Sequence, residues 1–278
     1  MPLPAIADVA KVVGDSALYR LKKREAGNLV TSMTLAVAIG LSAGDVAHRF
    51  LFGLLLNVFV YLVNDVLDVD LDMKAEGRDV ARTRFLAEHQ AAGWVGVAWV
   101  GLVCAIVAVA HGASLLLVFG VNVALILAYS RWLKRLPIVD LLAMAAWGVS
   151  MALVGCPLDH AVGLRLVALL GLLSVVTEGV QVIRDEATDR AAQVRTTAVV
   201  LGVPRTAAIT RVMIGVAALY ATLFLDKWLG PVLLVGVLPA LSTATASRSW
   251  DYLRALFGLT WLAILVHLRV IGRLSPLL

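Results

Sequence analysis

This chain is short of charge. Asp, Glu, Lys and Arg together make up 15% of its 278 residues, against 61% that are hydrophobic. Ordinary soluble domains run at about 25% charged and roughly 45–50% apolar. With a mean hydropathy of +0.91, a soluble globular class is excluded. Cysteine is scarce as well. Cys104 and Cys156 fall in or beside apolar segments without metal-like spacing, which argues against a disulfide framework or a cysteine metal site and leaves both as packing residues. A cleavable leader is not expected either. In "MPLPAIADVAKVVGDSALYRLKKRE" the basic cluster follows the short apolar part instead of preceding it, and no small-residue cleavage site closes it. Residues 1–16 read as a short interfacial helix.

What the chain does have is a series of apolar runs of about 20 residues, each long enough to cross a hydrocarbon core of roughly 30 Å. The runs are continuous and do not alternate, so they predict helices and not a barrel. Nine spans are expected, near 24–43, 47–67, 91–111, 113–131, 138–156, 162–184, 204–225, 228–247 and 252–272. Their connections alternate in charge. One side receives the basic clusters at 20–24, 74–84, 131–135, 184–205 and 248–254. The other receives only Arg49, Arg165, Lys227, Arg269 and Arg273. The positive-inside rule places the first set, and the N-terminus, in the cytoplasm. The same bias accounts for the net charge of +5 without any nucleic-acid partner.

Two acidic clusters lie on that side, in connections 68–90 and 185–203. In "NDVLDVDLD", carried on as a helix at 100° per residue, Asp65, Asp68 and Asp72 share one face with Asn64 at its edge. Asp70 falls about 140° away and reads as a bystander. In "EGVQVIRDEATDR", Asp185 and Asp189 share a face with Gln181 and, deeper, Glu178, while Glu186 points elsewhere. Carboxylates stacked on one face raise one another's pKa unless cations sit among them. Hard divalent cations take oxygen ligands, and Mg2+ is commonly held by one or two carboxylates plus substrate phosphates. Two such faces, ringed by Arg78, Arg82, Arg84, Lys134, Arg135 and Arg195, suit a diphosphate clamped through Mg2+. Acidic residues beside a membrane are often merely solvated; here two matching faces on one side outweigh that. Residues 68–79 begin like an EF-hand loop, but Met73 stands where the turn needs glycine and Asp79 where glutamate is usual, which argues against calcium.

These residues resemble the UbiA superfamily of intramembrane prenyltransferases. The NDxxDxxxD motif is matched by Asn64, Asp65, Asp68 and Asp72. The second motif, DxxxD followed by a basic residue and "STA", is matched by Asp185, Asp189, Arg195 and "TTA". "AYSRWLKRLP" is similar to the family's YSxxLKR, giving Tyr129, Lys134 and Arg135. "REAGNLVT" is similar to RPxNLLT, giving Arg24 and Asn28, with Glu25 and Ala26 where proline is usual. After the first motif "ARTRFLAEHQ" lacks the proline of RTxxRPL.

The resemblance implies one all-α integral membrane domain over 1–278. It would be a nine-helix bundle around a central cavity open to the cytoplasmic side of a bacterial inner membrane. Asn64, Asp65, Asp68, Asp72, Asp185 and Asp189 would hold two Mg2+ ions, and Arg82, Arg84, Lys134, Arg135 and Arg195 would bind diphosphate. Asn28, Tyr61, Tyr129 and Gln181 would line the substrate, with the tyrosine faces stabilising an allylic cation. The partners implied are a polyprenyl diphosphate donor, an aromatic, quinone-precursor or other lipid acceptor, and the bilayer. Glu178 reads either as a base toward the acceptor or as a structural hydrogen bonder. Asn122 and Asp140 read as helix packing or capping residues. Two other readings stand beside transfer. One is a membrane terpene cyclase with the same diphosphate site. The other is a transporter, disfavoured because the acids gather at one face and the spans are intact.

Overall fold

The computed structural model describes residues 4–22, 26–73 and 80–274. Arg24 and Arg78 lie outside the described residues. In chain order the helices are α1 (Ile6–Lys22), α2 (Gly27–Ala38), α3 (Ala43–Asp72), α4 (Val80–Glu88), α5 (Gln90–His111), α6 (Ala113–Arg131), α7 (Val139–Ala152), α8 (Ala161–Arg184), α9 (Glu186–Ala191), α10 (Thr197–Leu201), α11 (Val203–Tyr220), α12 (Leu229–Leu233) and α13 (Ala246–Val270). No strand occurs among the described residues.

Six of these segments are long and apolar enough to cross a membrane: Ala43–Asp72, Gln90–His111, Ala113–Arg135, Ala161–Arg184, Val203–Leu225 and Ala246–Val270. Two further expected spans are shorter apolar helices, Gly27–Ala38 and Val139–Gly155. The remaining expected span, 228–247, the eighth in order, is not a continuous helix. It consists of α12 and a single 3-10 stretch, Leu234–Val237, before non-helical chain. Pro239 marks the break: Leu238 still has helical angles, φ −66 and ψ −35, but proline has no N–H to carry the helical ladder further. The broken chain still runs the length of the bundle, because His267 near the end of α13 pairs with Asp226 just beyond α11. Its carbonyls are taken up by side chains: Arg211 donates to Pro239 at 3.2 Å and Ser249 to Ala240 at 2.9 Å. Backbone at membrane depth requires such partners.

Local signals set the helix ends. Ser42 caps α3, accepting the Asp45 N–H at 3.2 Å, and His160 caps α8 through Nδ1 to the Gly163 N–H at 2.9 Å. Gly112, at φ +129, folds α5 directly onto α6, a conformation that glycine permits. At 30 residues, α3 is about 45 Å long, longer than the roughly 30 Å core. Its surplus is the charged end, which continues as helix through the whole first acidic motif. The connections expected at 68–90 and 185–203 carry α4, α9 and α10. The N-terminal helix extends to Lys22, and one face, with Val12 and Ser16, is buried against the bundle.

Two large apolar clusters and two smaller ones form the interior. Of the large pair, one centres on α8 with α11 and α13, the other on α3 with α5 and α6. α7 stands between them and approaches α8 closely through small residues. A Cβ on Gly171 would come within 3.1 Å of the Ala145 carbonyl, and such contacts are how apolar helices associate without a hydrophobic drive. Just beyond α7, a Cβ on Gly155 would overlap the backbone carbonyl of Ser32 in α2. Gly155→Ala is therefore expected to destabilise the fold by about 1–3 kcal/mol, as overpacking does. Thermal unfolding in detergent micelles checks this, and an unchanged midpoint would contradict the close approach.

Candidate active site

The acidic ends of α3 and α8 lie at the same end of the bundle as the turn after α6. The four acids of the first cluster have different surroundings. Asp65 is 2% exposed. It accepts hydrogen bonds from Ser16 Oγ at 2.7 Å, Arg20 Nη2 at 2.6 Å and Arg82 Nη1 at 2.7 Å. The Arg20 guanidinium lies 4.4 Å over the Tyr61 ring, and that of Arg82 lies 4.3 Å over Tyr19. One carboxylate thus ties α1 and α4 to α3, and the Tyr61 face is occupied by an arginine. Asp68 is paired with the Lys134 ammonium and accepts from Asn64 Nδ2. Asp72 is buried and Asp70 exposed, as the helical spacing predicts for a bystander.

Lys134 is the residue that joins the two clusters. It sits in the 3-10 turn Leu133–Arg135, is 8% exposed, and reaches Asp68 on α3. It is also close enough to Asp189 to lower that residue's pKa.

In the second cluster the helix breaks at Asp185 and restarts as α9, yet the Asp189 N–H still bonds to the Asp185 carbonyl at 2.8 Å. The expected shared face therefore survives the break. Asp185 is held by Arg184 at 2.7 and 2.8 Å, and Asp189 accepts from Thr196 Oγ1 at 3.2 Å. Glu186 pairs with Arg190, away from this face. Burial and the neighbouring Asp185 carboxylate push Asp189 up to about 6 from 3.8, although Thr196 and Lys134 pull it down.

Deeper in the bundle, Glu178 is buried and accepts a hydrogen bond from the Tyr129 hydroxyl at 3.0 Å, joining α8 to α6. Gln181 lies one turn from Asp185 and is partly exposed, as is Asn28 at the start of α2. Arg84, Arg135 and Arg195 are exposed at the acidic end. Asn122 accepts from Ser150 at 3.0 Å within the bundle, the packing role expected of it.

Sequence reading missed the contribution of α1. Ser16 and Arg20 are spaced i, i+4, and that spacing marks a polar edge on a helix otherwise read as interfacial.

Among the described residues no three His, Cys, Asp or Glu side chains are grouped tightly enough to enclose a metal ion. The donor set nevertheless fits one. Its oxygens are hard, they are arranged on two helix ends, and one acid, Asp189, is held above its ordinary pKa by burial and a neighbouring like charge. The folded state retains a proton on Asp189 that the unfolded chain has lost above 3.8, so stability falls as pH rises from there toward 6. A divalent cation offsets that loss only once the acid is ionised. Mg2+ with inorganic diphosphate is therefore expected to raise the unfolding temperature more at pH 7.5 than at pH 5. An equal rise at both would exclude Asp189 as a ligand.

The sequence profile of the UbiA prenyltransferase family matches residues 28–266. No curated protein matches the chain. Among solved structures, the fold is similar to a UbiA homologue from Archaeoglobus fulgidus bound to GPP and Mg2+. That pair has a TM-score of 0.62 and 17% identity, covering 93% of this chain and 99% of that one. The same homologue bound to DMAPP and Mg2+ superposes equally well. A digeranylgeranylglyceryl phosphate synthase gives a TM-score of 0.68 at 12% identity, covering 94% and 97%.

Proposed function

The chain belongs to the UbiA prenyltransferase family, and from that premise we propose that it ionises a polyprenyl diphosphate at the acidic end of its bundle and transfers the prenyl group to an aromatic, quinone-precursor or other lipid acceptor. Family and apolar helices together make it an integral membrane protein. The observation that carries the proposal is the buried Lys134, paired with Asp68 of one acidic motif, while its charge lowers the pKa of Asp189 in the other. A cation in that position meets a diphosphate lying between the motifs. The Archaeoglobus fulgidus homologue, bound to GPP and Mg2+, supports the same class of donor and metal here.

Asn64, Asp68, Asp72, Asp185 and Asp189 would hold Mg2+, two ions in our reading. When bound, the metal supplies Lewis-acid stabilisation of the departing diphosphate. Lys134 contributes a point charge, and Arg82, Arg84, Arg135 and Arg195 contribute guanidinium forks to the phosphate oxygens. Asp65 acts one step back, by fixing Arg82. The allylic cation left behind needs shielding from water. The Tyr129 ring, held by its hydroxyl on Glu178, faces that task. In our reading Glu178 takes a proton from the acceptor; the alternative is that its bond with Tyr129 is structural. Asn28 and Gln181 complete the lining, and the prenyl tail lies among the apolar helices. The basic bias puts this end, and the N-terminus, in the cytoplasm, with the broken segment from Leu229 to Thr245 serving as the eighth of nine passes.

Purified protein offered geranyl, farnesyl or geranylgeranyl diphosphate, with and without aromatic acids, is expected to yield a prenylated acceptor by mass spectrometry. Cyclised hydrocarbon or alcohol formed without an acceptor would replace transfer by cyclisation.

A further inference from the structure

Asp140, in the first turn of α7, is completely buried, and three donors converge on its two oxygens. The Thr197 N–H donates to Oδ2 at 2.7 Å. The Thr197 hydroxyl and, at 2.9 Å, the Leu141 N–H donate to Oδ1. The Thr197 hydroxyl in turn accepts the Ile138 N–H at 2.6 Å. Ile138 has φ +70, in the left-handed region that a β-branched residue avoids. Its side chain is about half exposed, so packing does not hold it there; the bond to Thr197 does.

A cap needs fewer bonds than this, and the partners are 57 residues apart in sequence. What they join is informative. Upstream of Asp140, a hydrogen-bonded path leads through the Leu136 carbonyl to the turn that carries Lys134. Next to Thr197, the buried Thr196 donates to Asp189, whose carbonyl also accepts the Val194 N–H at 2.8 Å. One carboxylate therefore fastens the loop that delivers Lys134 to the first acidic motif onto the loop that braces Asp189 of the second.

We propose that Asp140 is a positioning residue whose latch with Thr197 sets the spacing between the two acidic motifs, acting through Lys134 and Asp189 and touching neither substrate nor metal. The inference rests on the diphosphate reading given above. Asp140→Asn keeps the size of the side chain but presents an N–H where only donors converge, and Thr197→Val removes the hydroxyl that both closes the latch and holds Ile138. Thr197→Ser keeps it.

The test follows thermal unfolding of the detergent-purified full chain while Mg2+ is titrated against a fixed amount of inorganic diphosphate, alongside the Mg2+ dependence of turnover. Loss of a group that orients metal ligands weakens metal binding about 10-fold or more, so Asp140→Asn and Thr197→Val are expected to shift both midpoints by that factor and Thr197→Ser by less than about twofold. A lower unfolding temperature with an unchanged Mg2+ midpoint would overturn the proposal and leave Asp140 a structural cap. Should Asp140→Asn not fold, the Val and Ser variants of Thr197 decide the question. If the wild-type chain itself gained no stability from Mg2+ and diphosphate, the diphosphate reading would fall and the latch with it. A wild-type response that the variants share defeats the latch alone.

Discussion

Asp68→Asn is expected to lower turnover by a factor of about 10^2–10^3, the range seen when one preorganised charge-stabilising group is lost from an active site. The structure makes the amide a poor replacement. One oxygen of Asp68 faces the Lys134 ammonium and the other the Asn64 amide N–H. An asparagine has only one oxygen, so a donor would meet a donor on one side or the other. The negative charge is lost as well, and with it the partner that holds Lys134 buried between the motifs. Asp70→Asn is the matched comparison. It lies two residues further on, carries the same charge and is exposed, and its turnover should stay within about twofold, as surface substitutions do. Steady-state release of diphosphate measures both. Equal losses from the two would mean that the helical face is drawn wrongly.

Asp65→Ala is expected to act on stability. Its carboxylate is 2% exposed and serves Arg20 and Arg82, whose side chains are 15% and 9% exposed. Removing one member of a buried pair leaves uncompensated charge and costs about 3–5 kcal/mol. Here two guanidiniums each lose an acceptor, and α1 and α4 each lose a tie to α3. The unfolding midpoint should therefore fall well below that of Asp70→Asn. A variant that unfolds like the wild type but no longer responds to Mg2+ would show instead that Asp65 is a metal ligand.

The three acids Asp65, Asp68 and Asp70 show how far the sequence could be read. Helical periodicity separates Asp70 from the others because a 3.6-residue repeat follows from the backbone alone. The same reasoning treats Asp65 and Asp68 as equivalent, since they share a face. What distinguishes them is a partner far along the chain: Ser16 and Arg20 for one, Lys134 for the other. Periodicity carries no information on such pairings, which depend on how helices pack. Asp140 makes the same point, since a lone acid after Pro137 looks like an end-cap until Thr197 is found against it. The long apolar helices were legible because length and hydropathy suffice for them. The segment from Leu229 to Thr245 was not, because its mean hydropathy resembles that of a span. The break comes at Pro239, and side chains outside the segment, Arg211 and Ser249, donate hydrogen bonds to the freed carbonyls.

The central claim is that the acidic end of the bundle cleaves a prenyl diphosphate with Mg2+ between its two motifs. The most direct measurement is diphosphate released from geranylgeranyl diphosphate by the purified chain, with Mg2+ and with EDTA, in the wild type, Asp68→Asn and Asp185→Asn. Release that requires Mg2+ and is lost in both variants is the expected result. Release that persists in EDTA, or that survives in either variant at the wild-type rate, would contradict it.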